Sequence, residues 1–179
     1  MNKILGFSHI NHVVITGGEP LLQQDRLVLL LKLLKSKGKK QSRFSFHHVE
    51  IETNGTIIPI NEIIDYVDQW NISPKTSNSN NKERGINLER FYEKSLSFYA
   101  NLKNVIFKFV IDELDDMNEI WQLIQKYNLP KERIILMPQA TTKEILLEKS
   151  NWIKEYAKRN HFTFSSRLQV LLWDNQRGK

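Results

Sequence analysis

An α/β fold on a parallel sheet is the architecture this sequence predicts, and three observations predict it. Short β-rich apolar runs alternate with longer stretches of helical periodicity along the chain. The alternation is strict, which calls for right-handed βαβ crossovers and parallel strands, in a sheet either open or curled into a barrel. The run Val13-Val-Ile-Thr-Gly-Gly-Glu-Pro20 then ends an apolar strand in two glycines, a carboxylate and a proline suited to a first helical turn. A length of 179 residues suits one domain, spanning 1–179.

Taken in order, strands are expected at 12–16, 46–53, 69–73, 104–112 and 133–137, each bounded by turn residues. Helices are expected at about 20–36, 60–68, 88–102, 115–127 and 142–159. Asn87 is a good N-cap for the third, and Ile120, Leu123 and Ile124 form the inward stripe of the fourth. Residues 76–87 form a polar loop rather than a domain linker, because the alternation resumes after it. The tail Arg167–Trp173 reads as strand-like, and the four tryptophans, Trp70, Trp121, Trp152 and Trp173, read as core. Little precedes the first strand. Residues 2–10 fit the last turn of a helix, as though the chain starts one βα unit late.

Composition narrows the function classes. With no cysteine, the chain holds no disulfide, thiolate metal site or cysteine nucleophile. The net charge of +6 invites a nucleic-acid reading. However, Lys32, Lys35, Lys37, Lys39 and Lys40 cluster at a helix end, where cations complement the dipole. No aromatic–basic interleaving accompanies them, so nucleic acid is not the expected partner. No apolar run reaches a membrane span, and the opening Met1–His9 is too short in apolar residues for a signal peptide. The expectation is a cytoplasmic protein without membrane contact.

Ligand-type groups recur at the C-terminal ends of successive strands, where α/β proteins bind small molecules. The first strand ends in Thr16, Gly17, Gly18 and Glu19. Glycines there let a ligand approach the bare backbone. In the second, Glu50, Glu52 and Asn54 share one face by the period of two. Buried parallel strands are normally apolar on both faces, so these groups need solvent, a ligand or a polar cavity, unless the strand is an exposed edge. The third ends in Ser73-Pro74-Lys75, the fourth carries Lys108 and Asp112 on one face, and the fifth ends in Met137-Pro138-Gln139-Ala140. Phosphate-loop and GxGxxG fingerprints are absent. His47 and His48 would point to opposite faces and, with His9, His12 and His161, show no metal-ligand spacing. No metal ligand is assigned.

In combination these segments, with Glu52-Thr-Asn-Gly-Thr56, Lys108-Phe-Val-Ile-Asp112 and Arg167-Leu-Gln-Val-Leu-Leu-Trp173, resemble the 7-carboxy-7-deazaguanine synthase family of radical S-adenosylmethionine enzymes. The resemblance implies a partial parallel (βα)6-type barrel, here missing its first βα unit, and a homodimer when complete. It implies a lyase-type ring contraction of 6-carboxy-5,6,7,8-tetrahydropterin to 7-carboxy-7-deazaguanine, in queuosine or archaeosine biosynthesis, with S-adenosylmethionine, a 4Fe-4S cluster and magnesium. By motif, Gly17, Gly18 and Glu19, Ser73, Pro74 and Lys75, and Met137, Pro138, Gln139 and Ala140 would bind S-adenosylmethionine. Thr16 and the terminal Lys179 would contact the pterin, and Glu52 and Asn54 would line the pocket. The family's three cluster cysteines and its magnesium-contacting threonine precede the Gly-Gly-Glu-Pro strand, and this chain has no cysteine. Three readings follow. The chain is a synthase whose reading frame was started late or broken, a half-enzyme completed by a separate cysteine-bearing polypeptide, or a non-catalytic binder of a nucleoside-like ligand or a partner protein. An electron-donor protein is a further expected partner.

Overall fold

The computed structural model describes residues 11–35, 48–76 and 89–176, with residues 89–91 described by backbone alone. Among these residues, six parallel strands follow one another in space as in sequence: β1 (His12–Ile15), β2 (His48–Thr53), β3 (Gln69–Ile72), β4 (Val105–Ile111), β5 (Ile134–Pro138) and β6 (Thr163–Phe164). β1 and β6 do not pair, so among the described residues the sheet stays open rather than closing into a full barrel. The first five strands fall on the expected runs. β6, two residues long, was not foreseen, because a pattern that short leaves no periodicity to read.

The helices are α1 (Gln24–Leu34), α2 (Asn61–Ile64), α3 (Glu89–Ala100), α4 (Asp116–Tyr127), α5 (Lys143–Asn160) and α6 (Leu168–Trp173). A 3₁₀ turn over Pro20–Gln23 leads into α1. Met117, Ile120, Ile124 and Tyr127 of α4 are buried at helical spacing. Asn128 then takes the left-handed conformation (φ 55°) that ends the helix. Thr142 opens α5 by accepting the Ile145 N–H. α2 is shorter than the expected 60–68, and its chain unwinds ahead of Asp68.

The pleat sorts two chemistries onto the two faces of the sheet. Val49, Ile51, Trp70, Ile72, Phe107, Phe109 and Leu136 are fully buried against helix residues such as Leu31, Ile63, Leu96, Ile120 and Ile153. Each fully buried phenylalanine contributes about 2–3 kcal/mol. The opposite face is half-buried and polar: His48, Glu50 and Glu52 on β2, and Lys108 between Ile106 and Val110 on β4. β2 pairs with both β1 and β3, so its carboxylates do not sit on an edge strand.

Two expectations are corrected. Arg167–Trp173 is not a strand: Leu168–Trp173 forms a helix, with the Val170 and Leu171 N–H groups both donating to the Arg167 carbonyl. Val170 packs on Ala140 and Leu146 while Leu168 and Leu172 face solvent. A six-residue run with five apolar positions carries either period, and here packing decides. Trp173 is also not core, being 42% exposed, whereas Trp70 is fully buried. Asn87, most of the polar loop 76–87, residues 2–10 and the lysines at 37, 39 and 40 lie outside the described residues.

Candidate functional site

Because every strand is parallel, the C-terminal ends of β1 to β5 share one rim, and the residues singled out from sequence meet there. The chain leaves β1 through exposed Thr16, Gly17 and Gly18. Gly17 has φ 144°, which disfavours any side chain, and a Cβ on either glycine would meet nothing within 4 Å. Open space therefore lies directly against bare backbone.

Glu19 fixes this turn. Its Oε1 accepts the Leu21 N–H at 3.1 Å and the Thr53 hydroxyl at 2.7 Å, while Oε2 accepts the Asn54 N–H at 2.9 Å. One carboxylate thus caps the 3₁₀ turn and ties it to the end of β2. The Asn54 Oδ1 is itself used inside the loop, accepting the Thr56 N–H at 2.9 Å and hydroxyl at 2.7 Å.

Beside the glycines, Glu52 links three strands. The Thr16 hydroxyl donates to Oε2 at 3.1 Å, and the Lys108 ammonium reaches Oε1 at 3.4 Å from β4, across the intervening β3. Glu52 stays 43% exposed by side chain, so the pair is open to solvent. Lys108 and Asp112 start on one face, as expected, but take different partners, since Asp112 pairs with Lys149.

Ser73 is held by its N–H donating to the Thr53 carbonyl at 2.8 Å. Buried Pro74 follows, and the Lys75 N–H donates to the Tyr92 hydroxyl at 2.7 Å, leaving the lysine side chain exposed on the rim. Burial pushes the Tyr92 phenol up to about 12, so it remains neutral at physiological pH, against a smaller opposing effect of the Lys75 N–H. On β5, Met137 lies half-buried on the polar face and Pro138 is buried on the other. The Gln139 N–H donates to the Ile111 carbonyl at 2.6 Å, and the Ala140 carbonyl accepts Arg167 Nη1 at 3.1 Å. Lys179 lies outside the described residues.

Sequence reasoning missed Lys149. It stands on the face of α5 that buries Leu146 and Ile153, and its ammonium bonds both Asp112 and the Gln139 carbonyl, the latter at 3.1 Å. A lysine on an inward stripe was the available signal. The histidine pattern also hid a contact, because register places His12 opposite His48, with Glu50 between their rings. His9 and His47 lie outside the described residues.

The model of the Radical SAM superfamily matches residues 3–146. A 7-carboxy-7-deazaguanine synthase of Pyrobaculum aerophilum is 35% identical over 178 residues, which cover 99% of this chain and 72% of that protein. Proteins of the same name from Halobacterium salinarum and Rhodopirellula baltica are 30% and 29% identical, covering 97% and 98% of this chain and 69% and 66% of theirs. The chain belongs to the 7-carboxy-7-deazaguanine synthase family.

Radical SAM membership implies S-adenosylmethionine and an iron–sulfur cluster. The residues present treat the two differently. The open, glycine-lined turn leaves room for a ligand carrying an amino-acid end against its backbone. No fit exists for the cluster, because thiolates hold such clusters and these 179 residues contain no cysteine. Among the described residues no helix is long and apolar enough to cross a membrane.

Proposed function

We propose that this chain forms the cofactor- and pterin-binding wall of a 7-carboxy-7-deazaguanine synthase, which contracts the ring of 6-carboxy-5,6,7,8-tetrahydropterin in 7-deazapurine biosynthesis. The observation that carries the reading is one rim. Five strand ends place an open glycine turn, the Thr16–Glu52–Lys108 group, Ser73–Lys75 and Gln139–Ala140 side by side, in a chain 35% identical to a protein of that name.

S-adenosylmethionine supplies the family's radical chemistry, and the chain's own residues would bind and orient. Gly17 and Gly18 would offer backbone groups to the methionine end, with Ser73, Lys75 and the segment Met137–Ala140 closing on the remainder. Thr16 would hydrogen-bond the pterin. Glu52, beside Lys108, would accept from the pterin's ring N–H groups, and Lys108 would meet its carboxylate. Asn54 would shape the loop through its carboxamide oxygen and could offer only its NH2 group to the ligand. The cluster ligands must come from outside these 179 residues, so the chain by itself is expected to be inactive. A separate cysteine-bearing polypeptide, a second copy of the chain and an electron-donor protein remain the proposed partners, and the cytoplasm the proposed location.

The test is S-adenosylmethionine binding by the purified chain, measured by equilibrium dialysis. Gly18→Val, which fills the open space against the backbone, should weaken binding at least tenfold, and Lys75→Ala several-fold. Wild-type affinity in both variants would remove these residues from the site.

A further inference from the structure

At the opposite end of the same sheet face stands a group that the proposed function does not use. His12 opens β1 and His48 opens β2, and the two are direct register partners. Their rings meet edge to face, with centroids 4.6 Å apart at 83°. Both Nε2 atoms converge on one oxygen: Glu50 Oε1 lies 2.9 Å from His12 and 3.2 Å from His48. Among the described residues, Glu50 gives these rings their only hydrogen-bond contact.

We propose that His12, His48 and Glu50 form a binding site for a divalent transition metal, of the zinc or ferrous class. The donor atoms all lie within 4.8 Å of one another. Ligands at about 2.0–2.1 Å around a tetrahedral ion stand roughly 3.3 Å apart, so the two separations between Glu50 Oε1 and the imidazoles need to open by only a few tenths of an ångström. Two imidazoles with one carboxylate select a borderline ion over magnesium or calcium, which take oxygen ligands. The site is therefore distinct in chemistry from a magnesium site.

The surroundings complete the design. Asn71, 3% exposed on β3, donates its Nδ2–H to Glu50 Oε2 at 2.8 Å. That bond fixes the carboxylate and leaves Oε1 turned to the histidines, as a supporting residue does in metal sites. His12 and His48 are 51% and 43% exposed by side chain, so water can reach the remaining coordination positions. A bound ion would clasp β1, which pairs only with β2 among the described residues, at the end remote from the glycine turn.

Titration of the chain with Co(II) alone tests this. One equivalent should bind at micromolar concentration with visible d–d bands, be displaced by Zn(II), and raise the melting temperature. His12→Ala, His48→Ala and Glu50→Gln should each weaken binding at least tenfold, and Asn71→Ala about 10–100-fold. His161→Asn, an exposed histidine remote in the fold, should leave it unchanged. Should a variant fail to fold, Zn(II) on the wild-type chain should still protect His12 and His48, but not His161, from diethyl pyrocarbonate. No stoichiometric complex, binding that survives loss of both histidines, or modification unaffected by zinc would each overturn the proposal.

Discussion

Glu19 belongs to the Gly-Gly-Glu-Pro run that first marked the chain, yet its carboxylate satisfies three protein donors, on Leu21, Thr53 and Asn54. Glu19→Ala would leave the half-buried turn without acceptors, and a loss of about 2–3 kcal/mol in urea unfolding is expected. An unchanged midpoint would mean those donors find water at no cost. Gly55 makes a second test of a single residue. Its φ is +76°, and a Cβ there would stand 2.5 Å from Ile72 Cγ2 and 3.3 Å from Leu96 Cδ2, both fully buried residues. Gly55→Ala should cost about 2–4 kcal/mol, read by thermal melting. The residue types of the site were legible in sequence, since Gly17, Gly18, Ser73 and Lys75 all reach the rim. Their partners were not. Nothing in the local pattern says that the Glu19 carboxylate turns inward to Thr53, or that Lys149 arrives from α5, because both contacts join segments more than thirty residues apart.

Elements followed periodicity where it was long. Helix α4 keeps its apolar stripe for three turns and was read correctly, whereas β6 and α6 offered two and six residues and were decided by packing. One junction between elements is open to a pH experiment. Asp68, just before β3, accepts the Val49 N–H at 2.7 Å and pairs with Lys35 at the end of α1. Partial burial alone would raise its carboxyl, but the Lys35 pair and the Val49 N–H outweigh burial and hold it below the ordinary 3.8. A depressed folded value contributes stability above the unfolded value and loses it as pH falls through the folded one. The stability gap between the wild-type chain and Asp68→Asn, from urea midpoints, should therefore be constant near neutrality and shrink below about pH 4. A gap that widens on acidification would reverse the assigned direction. With its side chain 36% exposed, Asp68 sits where salt screens the pair, so the gap should also narrow in high salt.

For the whole molecule, strict alternation of strand and helix was enough to foresee the parallel sheet and the meeting of five strand ends. It could not foresee how far the sheet closes, which depends on strand tilt and on pairing between the first and last strands. The molecule presents a helix-packed apolar face and an open polar face, and on that polar face a rim suited to a small ligand without any thiolate beside it. Anaerobic reconstitution of the 179-residue chain with iron and sulfide should therefore leave its visible absorbance flat and its S-adenosylmethionine uncleaved. Stoichiometric iron and sulfide bound with turnover would contradict that expectation.

The most direct measurement joins the chain to thiolate ligands for a cluster. Fused behind a cysteine-bearing segment that supplies the cluster ligands, it would be reconstituted anaerobically and supplied with reductant, magnesium, S-adenosylmethionine and 6-carboxy-5,6,7,8-tetrahydropterin. Product would be quantified by mass spectrometry. The expected result is 7-carboxy-7-deazaguanine from the fusion, at least tenfold less from its Gly18→Val variant, and none from the chain alone. A cluster-loaded fusion that cleaves S-adenosylmethionine yet leaves the pterin unchanged would contradict the assignment of this rim to the synthase reaction.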